Sequence, residues 1–402
     1  MRRSPIRQSY EKYPYPATDG AARPGIWRLP PLEWIAALGG QNGESYSPKR
    51  ILVAGCGTGN EAFALRRRFP QAQIVAIDFS PRSISIARRL LQSAPKIRRI
   101  NFIVGDLTSR SLGGITGAFD FISCHGVLSY IPEPERALAN LSRVLKPTGA
   151  LYLGVNGAEH FSTAGRLFLP AFGCDLAQLR DDPYLRKLLA LWDAVLQQNG
   201  RNSFTRFSAT YLASDLFGSF IQNLALAQWL GFARGTGLHF RGSYSCWRRL
   251  RSVMEKDFPR LLLPRSHAEV CELLEILHPA SFHRLLFTRA PAANPPWENR
   301  KALEAWRPKR TNLFDARLPK RSLQWPSLRA IAFKSRAMNT RLEWKMPEWE
   351  LEILRQSDGE RTLGEILRQI SFSIPSKLLR RQLYVLHQLL VIKLTQGLPT
   401  GK

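Results

Sequence analysis

Apolar and polar residues alternate in blocks along the first part of the chain. Ile51 to Ala54 is a short apolar run, Glu61 to Phe69 carries helical spacing, Ile74 to Ile77 is a second run, and Ser83 to Leu91 is a second helical pattern. The stretch RINFIVGDLTS supplies a third run, Phe119 to Cys124 a fourth, Pro134 to Leu145 a third helix, and Ala150 to Val155 a fifth run after a Lys-Pro-Thr-Gly turn. Runs of this length bounded by turn residues read as buried strands rather than helices. Their alternation with helices predicts a parallel sheet. Helical periodicity returns near the C-terminus. Trp349, Ile353 and Leu354 line one helical face, Asp358-Gly359 makes a turn, and Thr362 caps a helix bearing Leu363, Ile366, Leu367 and Ile370. A third helix from Ser376 carries Leu379, Leu383, Leu386 and Leu390, and Val391 to Leu394 reads as a terminal strand. From Pro291 to about Thr340, proline, basic residues and the lack of a sustained apolar period predict a linker or loosely packed connector.

The first strand runs directly into Gly55-Cys56-Gly57-Thr58-Gly59. Glycines at a strand-to-helix turn let the backbone bend tightly and let a ligand approach without side-chain obstruction. Asp78 closes the second strand, where a carboxylate can accept both ribose hydroxyls of a nucleoside, and Asp106 follows the third, within reach of an adenine amino group. A nucleotide-like cofactor is the implied ligand. Nicotinamide cofactors and S-adenosylmethionine both use this arrangement.

The ordered set VAGCGTG, AIDFS, VGDL, FDFISCHGVLSYI and LSRVLKPTGALYLGV, spread over roughly 50–157, resembles the class I S-adenosylmethionine-dependent methyltransferases. The resemblance implies a Rossmann-like α/β fold with a seven-stranded, mostly parallel sheet and S-adenosylmethionine as cofactor. It places Gly55, Cys56, Gly57, Thr58 and Gly59 around the methionine and ribose portion, Asp78 and Phe79 at the ribose, Asp106 and Leu107 at the adenine, and His125 and Gly126 at the methionine end. The chain departs from the family at Val53, where many members carry an acid that helps to hold the methionine amino group. The segment SYEKYPYP is similar to one that opens a subset of bacterial members, and it brings Tyr10, Tyr13, Tyr15 and Trp27 into an N-terminal arm that either covers the cofactor or packs on the domain surface. To complete the sheet, a helix from Phe217 to Leu230 precedes a strand in GLHFRG, and FHRLLFTRA supplies the last strand. Residues 158–215 then form a helical insertion of the kind that makes a substrate lid. The C-terminal helices resemble a small winged-helix-like module. The division is an arm at 1–49, a cofactor domain at 50–290, a basic linker at 291–340 and the module at 341–396.

Composition narrows the partners. The formal net charge is +27, and the excess is densest in 291–340, about +8 by the formal-charge rule. Such a balance attracts polyanions, yet arginine heavily outnumbers lysine and no concentrated basic tail appears. Nucleic acid is therefore an alternative partner behind a small-molecule, peptide or protein acceptor, with Lys377, Arg380 and Arg381 at the start of the candidate recognition helix. Five cysteines without a C-x-x-C pair argue against a disulfide framework, and no metal is implied by the spacing of His278 and His283. The N-terminus has no apolar core of a signal peptide and no stretch is apolar enough for a membrane span, so a soluble cytoplasmic protein is expected.

Methyl transfer needs no conspicuous catalytic dyad, because the protein chiefly supplies position and desolvation. His125 and Tyr130 are the weak candidates for a catalytic base. Asn294-Pro295-Pro296-Trp297 matches the N-P-P-aromatic motif of amino-group methyltransferases, which must follow the fourth strand. Here Cys124-His125-Gly126-Val127 fills that slot, so the motif reads as part of the connector. The leading expectation is a methyltransferase for a small-molecule, peptide or protein acceptor. RNA or DNA methylation and a non-catalytic protein that keeps the cofactor fold are the alternatives.

Overall fold

A computed structural model of the chain describes residues 5–16, 29–39, 46–94, 99–175, 183–195, 209–216, 218–254, 262–291, 293–319, 328–336, 338–370 and 373–396. Seven strands form the main sheet: β1 (Arg50–Ala54), β2 (Gln73–Asp78), β3 (Ile100–Val104), β4 (Phe119–His125), β5 (Leu145–Asn156), β6 (His239–Ser243) and β7 (Phe282–Thr288). Their spatial order is β3-β2-β1-β4-β5-β7-β6. The β1–β2, β1–β4, β2–β3 and β4–β5 pairs are parallel, and β6 lies antiparallel to β7. This is a Rossmann-like α/β fold. The order reverses beside β1, which puts the switch point, where such sheets bind ligands, at the carboxyl ends of β1 and β4.

The chain divides into two compact units. The described residues of Met1–Arg28, Pro48–Leu238 and Pro279–Arg284 form the first. Its core is the apolar strands themselves, with Ile51, Leu52, Val53, Ala54, Phe121 and Leu151 without exposure. Strand β5 is longer than the expected Ala150–Val155, because Leu145 already pairs with Phe119 while Ala150 pairs with Phe121. The Lys-Pro-Thr-Gly segment is thus an irregularity within the ladder. Helices Phe161–Ala171, Pro183–Val195 and Ala209–Asp215 lie in the segment 158–215, and Leu169, Leu189, Trp192, Leu212 and Leu216 form a small core among them.

The helix expected from Phe217 to Leu230 is shorter and displaced: it spans Leu226–Ala233, and Phe217 lies outside the described residues. Tertiary hydrogen bonds overrule the periodicity of 218–225. Gln222 donates its backbone N–H to Ser129 O at 2.7 Å and its side-chain amide to Ile131 O at 2.7 Å, and Asn223 Nδ2 donates to Ser162 and Thr163. An extended backbone is needed to reach these partners, and helix begins only once they have been passed.

The second unit comprises the described residues of Leu29–Ser47, His239–His278 and Leu285–Lys402. Here the connector expectation is corrected. Trp297, Leu303, Trp306, Leu313, Ile331 and Phe333 are all buried. Strand β8 (Arg307–Arg310) pairs antiparallel with β11 (Ile392–Thr395), and β9 (Arg329–Ser335) forms an antiparallel pair with β10 (Thr340–Met346). The segment has no sustained period because isolated large side chains anchor most of it, and the strand period of β9, with Ile331, Phe333 and Ser335 buried in alternation, is short. Trp297 of the N-P-P-Trp stretch stacks edge-on against Tyr384 at 5.1 Å, and the Arg380 guanidinium donates to the carbonyls of Trp297 at 3.3 Å and Glu298 at 2.7 Å. Arg380 is therefore committed to backbone rather than offered to phosphate.

The three expected C-terminal helices span Glu348–Arg355, Leu363–Arg368 and Ser376–Gln388. Thr362 caps the second through a reciprocal pair with Glu365. The closing strand pairs with β8 from the supposed connector, and no two-stranded wing follows Ser376–Gln388 among the described residues.

Candidate functional site

The carboxyl ends of β1 to β4 open into a cavity of about 220 Å3. Gly55, Cys56, Gly57, Asp78, Phe79, Asp106, Leu107, His125 and Gly126 line it, as does Tyr130. Residues far apart in sequence meet here because each follows a parallel strand whose register is fixed by its neighbours. Thr58 and Gly59 are not in the lining. Thr58 is fully buried, and it ties down the N-terminal arm by donating its N–H to Tyr15 O at 3.0 Å and its hydroxyl to Pro16 O at 2.9 Å. Gly59 begins the helix Asn60–Arg68 and faces Phe63, Ala87 and Phe102.

The arm reaches the same cavity. Tyr10, Tyr15 and Pro16 are part of the lining, with Tyr10 edge-on to Phe79 at 5.6 Å and its hydroxyl 3.1 Å from Ser214 Oγ. Tyr13 instead sits under the Lys12 ammonium. Trp27 lies outside the described residues.

Asp78 is the best-placed carboxylate for a ribose. Oδ2 accepts the Gly57 N–H at 2.8 Å and Oδ1 accepts the Ser80 N–H at 2.9 Å, so each oxygen is oriented and keeps a lone pair for a further donor. Burial pushes its acid up to about 6, against the pull of those two amides. Asp106 accepts the N–H and the hydroxyl of Thr108, both at 2.8 Å and both through Oδ1, which leaves Oδ2 for a ligand donor.

His125 and Tyr130 differ in chemical capacity. His125 Nδ1 lies 2.8 Å from the Tyr152 hydroxyl, and its ring packs 4.9 Å from Phe282. Burial, with Arg284 adding to it, pushes its pKa down to about 3, so the imidazole is neutral and a poor proton acceptor. Tyr130 donates its hydroxyl to Asp215, a buried carboxylate at the end of Ala209–Asp215 that burial pushes up to about 6 while hydrogen bonds from Tyr130, Tyr211 and Ser214 pull it down.

Sequence reasoning passed over Asp215 and Glu61. Asp215 lay at the edge of an insertion with no motif, and only the fold brings it beside Tyr130. Glu61 lines the cavity and is 6% exposed, with one oxygen accepting from Ser123 Oγ, and burial pushes it up to about 8. An acid in the first turn of a helix ordinarily answers the helix dipole. The missed signal was the coincidence of that acid with the absence of one at Val53.

Charge at the cavity opposes that of the chain. Glu61, Asp78, Asp106 and Glu133 line it, and among the described residues no lysine or arginine does, in a molecule of net charge +27. The donor set fits a cationic nucleoside: a carboxylate for the ribose, a glycine-lined turn, and acids around a positive centre.

Comparison with known proteins agrees with this chemistry. Residues 52–151 match the family model described as a methyltransferase domain. Residues 52–151 therefore carry a methyltransferase domain. An uncharacterized protein of Synechococcus sp. is 35% identical over 149 residues, 36% of this chain and 35% of that protein. A release factor glutamine methyltransferase of Deinococcus radiodurans is 32% identical over 130 residues, 32% of this chain and 44% of the other. The chain thus spans well under two thirds of the length of these relatives. Among solved structures, PKMT2 from Rickettsia typhi shares the fold with a TM-score of 0.52 at 15% identity, covering 92% of this chain and 76% of that one. The same protein is known in complex with AdoHcy.

Proposed function

We propose that the protein transfers the methyl group of S-adenosylmethionine to a small-molecule or a peptide or protein acceptor that enters beside Tyr10, Tyr15 and Tyr130. The observation that carries this reading is the acidic cavity of a basic chain, since the cofactor brings both a sulfonium and an ammonium charge. When bound, the cofactor supplies a methyl group on a positively charged sulfur that is a good leaving group. Asp78 holds the ribose, the turn at Gly55–Gly59 admits the chain backbone close to the ligand, and the arm excludes water at Tyr10 and Tyr15. Asp106 and Leu107 frame the base, and Gly126 leaves room at the methionine end.

Tyr130 is the better-supported proton acceptor for the incoming nucleophile. Its hydroxyl proton already points to Asp215, so a proton taken up by the phenolic oxygen is matched by one passed to the carboxylate. His125, held neutral and hydrogen-bonded to Tyr152, serves as a wall of the cofactor site.

The test is transfer of a radiolabelled methyl group into fractionated lysate, read by size and by loss of label on protease or nuclease treatment. Label in protease-sensitive or low-mass material is expected, and nuclease-sensitive label would move the acceptor to nucleic acid. With the acceptor in hand, Tyr130→Phe is expected to lower kcat about 100-fold with cofactor affinity little changed. Unaltered turnover in this variant would remove the Tyr130–Asp215 pair from the chemistry.

A further inference from the structure

We infer that Glu61 binds the methionine ammonium of S-adenosylmethionine, replacing the acid that Val53 lacks. The inference rests on the cofactor reading and adds to it a residue that the family pattern does not supply.

Three observations carry it. First, geometry brings the carboxylate to the place the missing acid would serve. Val53 is the ladder partner of Ser123, and residues paired across a parallel ladder send their side chains to the same face of the sheet. Glu61, reaching from the first turn of Asn60–Arg68, accepts from Ser123 Oγ, so its carboxylate stands over that pair. Second, Glu61 is 6% exposed and lines the cavity, with Oε1 held by Ser123 and Oε2 without a partner among the described residues. A buried carboxylate with a free oxygen at a cavity wall is costly unless a ligand pairs it. Third, no cation among the described residues pairs with it. Its titratable neighbours are the Cys56 and Cys124 thiols, which burial and the carboxylates beside them keep protonated. Burial pushes Glu61 itself up to about 8, the state of an acid waiting for a cation. Entry of an ammonium ionises the carboxyl and releases its proton to solvent.

The test is titration calorimetry of the full chain with S-adenosylhomocysteine, which carries the ammonium, and with 5′-methylthioadenosine, which lacks the whole amino-acid portion. Glu61→Gln keeps the size and the contact to Ser123. It is expected to weaken S-adenosylhomocysteine about 30-fold or more, the usual consequence of removing one partner from a buried charge pair, and to leave 5′-methylthioadenosine within about twofold, a value that also certifies the fold of the variant. At pH 7, titrations in two buffers of different ionisation enthalpy should show the parent protein releasing more protons on binding S-adenosylhomocysteine than Glu61→Gln does. Equal losses for both ligands, no loss for either, or identical proton release overturns the assignment. Failure of the parent protein to bind either ligand overturns the cofactor reading and the assignment together.

Discussion

Gly57 shows how much one position decides. Its N–H orients Asp78, its φ of +52° places it in the left-handed region, and a Cβ there would lie 2.1 Å from the Tyr15 carbonyl oxygen. Any side chain must therefore push the arm away from the cavity and strain the turn that orients the Asp78 carboxylate. Gly57→Ala is expected to weaken S-adenosylhomocysteine binding by about tenfold or more, from left-handed strain alone, and to speed tryptic cleavage at Arg7 and Lys12. Unchanged affinity with an unchanged cleavage rate would show that the arm does not depend on this contact. The glycine and Asp78 were legible from their place in a strand-turn-helix unit. The arm's backbone beside Gly57 was not, since the approach of two carbonyls leaves no mark in composition.

At the scale of elements, the helix Glu348–Arg355 contains an unresolved tension. Arg355 pairs with Glu348 at 2.7 Å and Glu352 at 3.0 Å, whereas Glu350 between them has no exposure and no hydrogen-bond partner for either oxygen among the described residues. Burial pushes its acid up to about 8 from an ordinary 4.5. A carboxyl raised in the folded state leaves stability whole below about pH 4.5 and removes it as pH climbs through 8. Glu350→Gln is accordingly expected to stabilise the second unit by about 3 kcal/mol at pH 8.5 and by almost nothing near pH 4.5, as read from urea unfolding. A gain that does not depend on pH would assign the effect to packing instead. Periodicity located this helix and its two successors, as it located strands β1 to β4. It failed over 218–225 and over much of 291–340 because single side chains such as Gln222 and Trp297 are held by partners far away in sequence, which impose no period, while the alternation of Ile331, Phe333 and Ser335 in β9 is only three residues deep.

Across the whole molecule, positive charge dominates and the interior adjusts to it. In the second unit, burial pushes His267 down to about 4 and His387 down to about 3, with Arg241 disfavouring the charged form of both and Lys393 also that of His387. His267 Nδ1 pairs with Gln388, while His387 Nδ1 is buried without a partner among the described residues. A histidine depressed in the folded state contributes stability that is present above its unfolded value of about 6.5 and is lost as pH falls toward the folded one. The protein should lose about 2 kcal/mol per histidine between pH 6.5 and 5, and His387→Leu should flatten that acid limb in a denaturant series. An equally steep limb in the variant would point to general repulsion among the +27 charges.

The order of strands and helices over 50–157 and the strand-end part of the cavity lining, such as Gly55, Gly57, Asp78 and Asp106, were determined by the sequence alone, because a parallel strand ending in glycines and a strand ending in an acid specify a local geometry with little freedom. Tertiary structure alone decided that Glu61 meets Ser123 beside Val53, that Asp215 accepts the Tyr130 hydroxyl, and that Trp297 closes a core rather than opening a loose connector. Those outcomes depend on where Glu61, Asp215 and Tyr384 arrive once the chain has packed, and packing distance is not a property that sequence separation records.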